Sequence, residues 1–107
     1  MAQILQVNFK FNVPREQYEN AVSPMAQDIA DVPGLLWKVW LMNDKESEAG
    51  GVYLFADEAS VEAYKGSPIV ASVLSHPALG DFSIKQFEVL DKISRITRAP
   101  LAAAVSA

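Results

Sequence analysis

From Leu5 to Asn12 the chain alternates without a break, with Leu5, Val7, Phe9 and Phe11 on one side and Gln6, Asn8, Lys10 and Asn12 on the other. A period of two lines up one apolar row on one face of a strand, so Ile4 to Asn12 reads as a strand that must bury that row against another layer. The covering layer follows at once. Pro14 suits a first helical position, and Tyr18, Val22, Met25 and Ile29 recur at spacings of four, three and four, the stripe of an amphipathic helix. Pro24 falls inside that stripe, where a proline costs about 3 kcal/mol in a regular helix. A kink or a pair of shorter helices is therefore expected near Ser23.

Asp31-Val32-Pro33-Gly34 ends the helical stretch. Leu35 to Met42 and Gly51 to Phe55, rich in Trp, Val, Tyr and Phe, read as a second and third strand joined by the polar loop Asn43 to Glu48, with Gly50-Gly51 closing the loop. Asp57 can cap a helix from Glu58 to about Lys65, with Val61 and Tyr64 on one face and Gly66 to stop it. Ser67-Pro68 repeats the cap-then-proline signal and opens a short helix through Val70, Val73 and Leu74 to His76-Pro77. A last strand runs from about Phe82 to Leu90. The order β-α-β-β-α-β predicts a ferredoxin-like α+β domain: an antiparallel four-stranded sheet with its helices on one face.

The other face needs a cover too. If the more uniformly apolar rows of the first two strands meet the helices, the opposite face carries Leu36, Trp40 and Met42 beside Gln6, Asn8, Lys10 and Lys38. So apolar a patch predicts a partner sheet, and two sheets packed across a two-fold axis make a homodimer, a dimeric α/β barrel. A solvated monomeric sheet is the alternative. One domain over 1–98 accounts for the pattern, followed by a tail at 99–107 whose Ala102 to Ala107 is too weakly patterned to assign.

Composition removes several function classes. The chain has 107 residues and a formal net charge of -4, enough for one modest core, with no basic stripe that nucleic acid would require. It lacks cysteine, which excludes disulfides, thiolate metal sites and cysteine nucleophiles and permits a reducing compartment. Met1-Ala2-Gln3 leads into the first strand without a basic leader, and no apolar run is long enough to cross a bilayer. The expected setting is cytoplasmic, without membrane or nucleic-acid partners. A lone His76 and scattered carboxylates such as Asp57, Glu58 and Glu62 have no zinc-ligand spacing, and Gly50-Gly51 opens no helix, so neither a metal nor a phosphate site is expected.

The segments Pro33-Gly34-Leu35-Leu36-Trp37-Lys38-Val39-Trp40 and Glu48-Ala49-Gly50-Gly51-Val52-Tyr53-Leu54-Phe55-Ala56-Asp57-Glu58, with Leu5-Gln6-Val7 and Phe9-Lys10-Phe11-Asn12, closely resemble the YdhR-type monooxygenase family. The resemblance spans about Gln3 to Arg98 and fades between Gly66 and Asp81. It implies the dimeric α/β-barrel superfamily, which includes cofactor-free quinone-forming monooxygenases, haem-degrading enzymes, polyketide cyclases and isomerases. Fold kinship does not fix a reaction.

The resemblance also implies a pocket between sheet and helices, here walled by Val7, Phe9, Tyr53, Phe55, Val61 and Tyr64, with Trp37 helping to shape it. An apolar, aromatic lining suits a flat aromatic ligand. Tyr64 stands where related cyclases carry a functional tyrosine. With an ordinary pKa near ~10 it is a poor base but a good donor to a developing oxyanion; a core tyrosine with a satisfied hydroxyl is the other reading. His76 is the one side chain suited to shuttle protons near neutrality, with a surface histidine as the other and weightier reading. Lys38 can attract an anion or guard a sheet edge. The positions that match the haem-degrading relatives' asparagine, tryptophan and iron-ligating histidine hold Val7, Tyr64 and Leu74, so no haem or other cofactor is expected. The expected function is cofactor-independent monooxygenation of a small phenolic or aromatic substrate. A cyclase or isomerase, or a ligand-binding dimer without turnover, remains open beside it.

Overall fold

In a computed structural model, which describes residues 1–101, the elements follow the expected order. They are β1 (Gln3–Phe11), α1 (Arg15–Val22), α2 (Met25–Ala30), β2 (Leu35–Asn43), β3 (Glu48–Phe55), α3 (Glu58–Lys65), α4 (Pro68–Leu74), β4 (Leu79–Glu88) and α5 (Asp91–Ile96). The strands form one antiparallel sheet in the order β2-β3-β1-β4, the ferredoxin-like α+β arrangement. Pro24 divides the first helical stretch as its ring requires, with α2 restarting at Met25. Asp57 accepts a hydrogen bond from the Ser60 N–H at 2.8 Å and so caps α3, while Ser67 caps α4 with Pro68 in its first turn.

Leu5, Phe9 and Phe11 lie on the inner face of the sheet, against the helices. Leu5, Ile29, Tyr53, Phe55, Val61 and Tyr64 form one cluster there, and Phe9, Phe11, Tyr18 and Ala49 form a second. Gly50-Gly51 does not close the hairpin loop. Both glycines sit inside β3, which begins at Glu48. Gly50 has φ +154°, and a Cβ there would lie 1.9 Å from the Val7 carbonyl oxygen of β1, so the central strand pair closes only over a residue without a side chain.

The expected facing of β2 is overturned. Leu35 pairs with Phe55, but the register then shifts, and Trp37 pairs with Leu54, Lys38 with Tyr53, Trp40 with Gly51 and Met42 with Ala49. The extra residue at Leu36 is a β-bulge, and one extra residue exchanges every later side chain between faces. Lys38, Trp40 and Met42 therefore point to the helices, and Trp37, Val39 and Leu41 to the outer face. The first residues of the expected tail pack on the sheet. Leu101 is buried with Leu54 and Val89 on the outer face, and the Trp37 indole Nε1–H donates to the Pro100 carbonyl at 2.8 Å. Ala102 to Ala107 lie outside the described residues. No helix among the described residues is long and apolar enough to cross a membrane.

Candidate active site

Between the inner sheet face and the helices lies a cavity of about 90 Å³. Val7, Phe9 and Tyr53 form its floor, Tyr64 and Val70 its wall from α3 and α4, and Lys38 and Trp40 its side from β2. These positions follow from the ladder: Leu5 pairs with Tyr53 and Val7 with Gly51, so the inner rows of β1 and β3 meet side by side. Tyr64 reaches the same spot because it stands three residues after Val61, which is fully buried on the same helical face.

Tyr53 and Tyr64 are joined. Their hydroxyls lie 3.0 Å apart with Tyr64 donating, and their rings meet at 5.2 Å between centroids. Two hydroxyls carry two hydrogens and spend one between themselves, so the pair retains one donor for a ligand. Burial pushes both phenols above the ordinary tyrosine value, Tyr53 further because the neighbouring Tyr64 adds to it, and Tyr64 less because its bond to Tyr53 acts in the opposite sense. Both therefore stay protonated near neutrality and serve as donors rather than bases. Tyr18, also on the cavity, is pushed up to about 12 by burial and by the adjacent Glu19.

Lys38, read from the sequence as an anion attractor or an edge guard, and Trp40, both expected on the outer face, belong to this site. The Lys38 Nζ lies 3.3 Å from the Trp40 ring centroid and 4.4 Å from that of Tyr53. Its stem crosses Gly51, where a Cβ would come within 2.5 Å of the lysine Cε. None of the ion pairs among the described residues involves Lys38. Desolvation lowers its pKa to about 7. Two adjacent glycines inside an aromatic strand were the available signal, since glycine in a strand marks close approach by another group.

The remaining expected residues separate. Val7, Phe9, Tyr53, Tyr64 and His76 line the cavity. Phe55 and Val61 stand behind its wall, fully buried against Tyr64, and hold that ring in place without lining the space. Trp37 is on the opposite face of the sheet and cannot shape the cavity. His76 sits past the end of α4, where its Nδ1 accepts the Ala78 N–H at 3.1 Å, which leaves the neutral ring's hydrogen on Nε2. That tautomer offers no free nitrogen to iron, and Leu74, at the position of the haem relatives' ligand, carries none; the cavity does not fit haem. No cluster of three or more His, Cys, Asp or Glu able to hold a metal occurs among the described residues.

A four-stranded antiparallel sheet with a cavity roofed by helices defines the class: a ferredoxin-like α+β domain. Solved structures of the same fold include a protein of unknown function from Nitrosomonas europaea, with TM-score 0.72, 20% identity and coverage of 83% of this chain and 89% of that one. SnoaB, a cofactor-independent oxygenase from Streptomyces nogalater, matches in its N63A mutant with TM-score 0.69, 15% identity and coverage of 86% and 96%. The heme-degrader MhuD from Mycobacterium tuberculosis matches with TM-score 0.63, 19% identity and coverage of 81% and 95%. No curated protein matches the chain. The chain belongs to the family described as "Putative mono-oxygenase ydhR", whose family model matches residues 4–100.

Proposed function

We propose that this protein is a cofactor-independent monooxygenase acting on a single-ring phenol bound in the inner cavity. The observation that carries the reading is the Tyr53–Tyr64 hydroxyl pair, 3.0 Å apart, set in a cavity whose lining is otherwise mainly apolar. A phenol placed ring-down on Val7 and Phe9 directs its oxygen at the pair's remaining hydrogen. Preorganised donors of this kind stabilise charge as it develops on that oxygen, and most strongly where water is kept out. The bound phenolate reduces oxygen from its own electrons: a phenol with hydrogen on its para carbon takes up one O2 and gives the quinone and one water. Size favours a small substrate. An apolar cavity of roughly 150 Å³ holds benzene, so about 90 Å³ admits one ring with part of it at the mouth.

The similarity to SnoaB supports an oxygenase that needs no cofactor, and the family match supports monooxygenation. The same reading includes a homodimer, since the outer sheet face leaves Val39 and Phe87 half exposed. The test is oxygen uptake by the purified protein with a panel of phenols and dihydroxybenzenes, without added flavin, haem or metal. Uptake matched by quinone, absent from heat-denatured protein, supports the proposal. Product formed without oxygen means cyclase or isomerase chemistry, and binding without product means a carrier; either outcome overturns it.

A further inference from the structure

We propose that Lys38 is the base that takes the phenolic proton, an inference that rests on reading the inner cavity as a phenol site. The argument is geometric first. The bulge at Leu36 turns Lys38 inward, Gly51 leaves room for its stem to cross the sheet, and its Nζ ends between the faces of Trp40 and Tyr53. Tyr53 is the cross-strand partner of Lys38 and half of the donor pair, so base and donors converge on one end of the cavity. The titratable groups on the cavity are Tyr18 from α1, Lys38 from β2, Tyr53 from β3, Tyr64 and Lys65 from α3, and His76 beyond α4. None is a carboxylate. Lys65 is engaged with Glu62 at 3.4 Å and Gln86 at 3.5 Å, and the three tyrosines are held protonated by burial. His76 has given its Nδ1 lone pair to Ala78.

The environment suits proton transfer in one direction and then the other. Burial leaves the amine mainly neutral, and so able to accept a proton, above about pH 7. Once protonated, the ammonium faces the two aromatic rings that stabilise a cation. In the transfer the phenolic O–H bond breaks, the proton joins the Nζ lone pair, and the electron pair remains on the substrate oxygen beside the tyrosine donors. The product is an ammonium–phenolate pair with no net change in charge.

The experiment uses 4-chlorophenol at about pH 8, where the free phenol and an amine of pKa about 7 are both mainly un-ionised. Difference absorbance reports the bound phenolate, and calorimetry in buffers of different ionisation enthalpy counts the protons released. With the intact protein the phenolate band appears on binding while no net proton reaches the buffer. With Lys38→Met the phenol binds un-ionised and the band is lost. The inference is overturned by a band that survives in Lys38→Met, by un-ionised phenol in the intact protein, by a full proton released to buffer, or by no binding at all. The oxygenase reading fails separately: proton capture by Lys38 without oxygen uptake by any phenol removes that reading and leaves the base in place.

Discussion

Lys38 and the tyrosine pair show opposite consequences of one physical fact, that burial favours the neutral form of any acid or base. For the tyrosines the neutral form is the donor, and for the lysine it is the acceptor. Lys38 therefore burdens the fold. Its folded pKa of about 7 lies below its ordinary value of 10.5, so between these pH values the unfolded chain binds a proton that the folded chain has released. Stability climbs with pH across that window and is lowest below it. Lys38→Met is expected to stabilise the protein at about pH 6 by on the order of 1–2 kcal/mol after allowance for solvent screening, with the gain shrinking toward pH 10; urea denaturation at a series of pH values measures it. The tyrosines are predicted to matter for turnover. Tyr64→Phe keeps the Tyr53 hydrogen but removes the hydroxyl that orients it, and should lower kcat on any phenol the protein turns over by about 10-fold, less than the ~10²–10³-fold of losing an oxyanion donor outright. An unchanged kcat in that variant removes Tyr64 from the chemistry.

At the scale of elements, helix signals and the facing of β1 were legible and the facing of β2 was not. Asp57, Gly66 and Ser67-Pro68 act locally, through caps and a fixed φ, and each marks the same boundary in the structure as in the sequence. The facing of β2 depends instead on a bulge at Leu36 that pairing with β3 imposes, and nothing local distinguishes Leu36 from its neighbours. That single residue accounts for the mistaken positions of Trp37, Lys38, Trp40 and Met42. Helix α5 escaped notice because Ile93 and Ile96 remain exposed and no inward stripe marks it. The glycines of β3 carried more information than the loop role assigned to them. Gly50→Ala should cost about 2–4 kcal/mol, since its Cβ would meet the backbone oxygen of Val7 at 1.9 Å and backbone cannot give way cheaply. Gly80→Ala, with no atom within 4 Å of the added Cβ, should stay within about 0.5 kcal/mol. Equal denaturation midpoints for the two variants would contradict the close approach of β1 and β3.

Taken whole, the molecule has two unequal sheet faces. The inner one is covered in large part by helices and holds the cavity, with Trp40 and Ile84 still 40% exposed. The outer one is closed only in part, where Leu101, Val89, Leu54 and Trp37 pack under the returning chain; beyond them Val39 is 52% and Phe87 51% exposed. Apolar side chains left exposed on a sheet face are a mark of a partner surface, and a second sheet at ~10 Å would cover them with no change inside either chain. The expected outcome is a two-chain species in sedimentation equilibrium. A double variant, Val39→Asp with Phe87→Asp, places a charge on each side of that face and should yield a monomer with unchanged far-ultraviolet circular dichroism. Because Lys38, Tyr53 and Tyr64 all come from one chain and meet on the inner face, the monomeric variant should still bind 4-chlorophenol. Retained binding would place the site within each chain. Binding lost together with the dimer, in a variant that keeps its secondary structure, would show that the partner is needed to hold β2 and its lysine against the cavity.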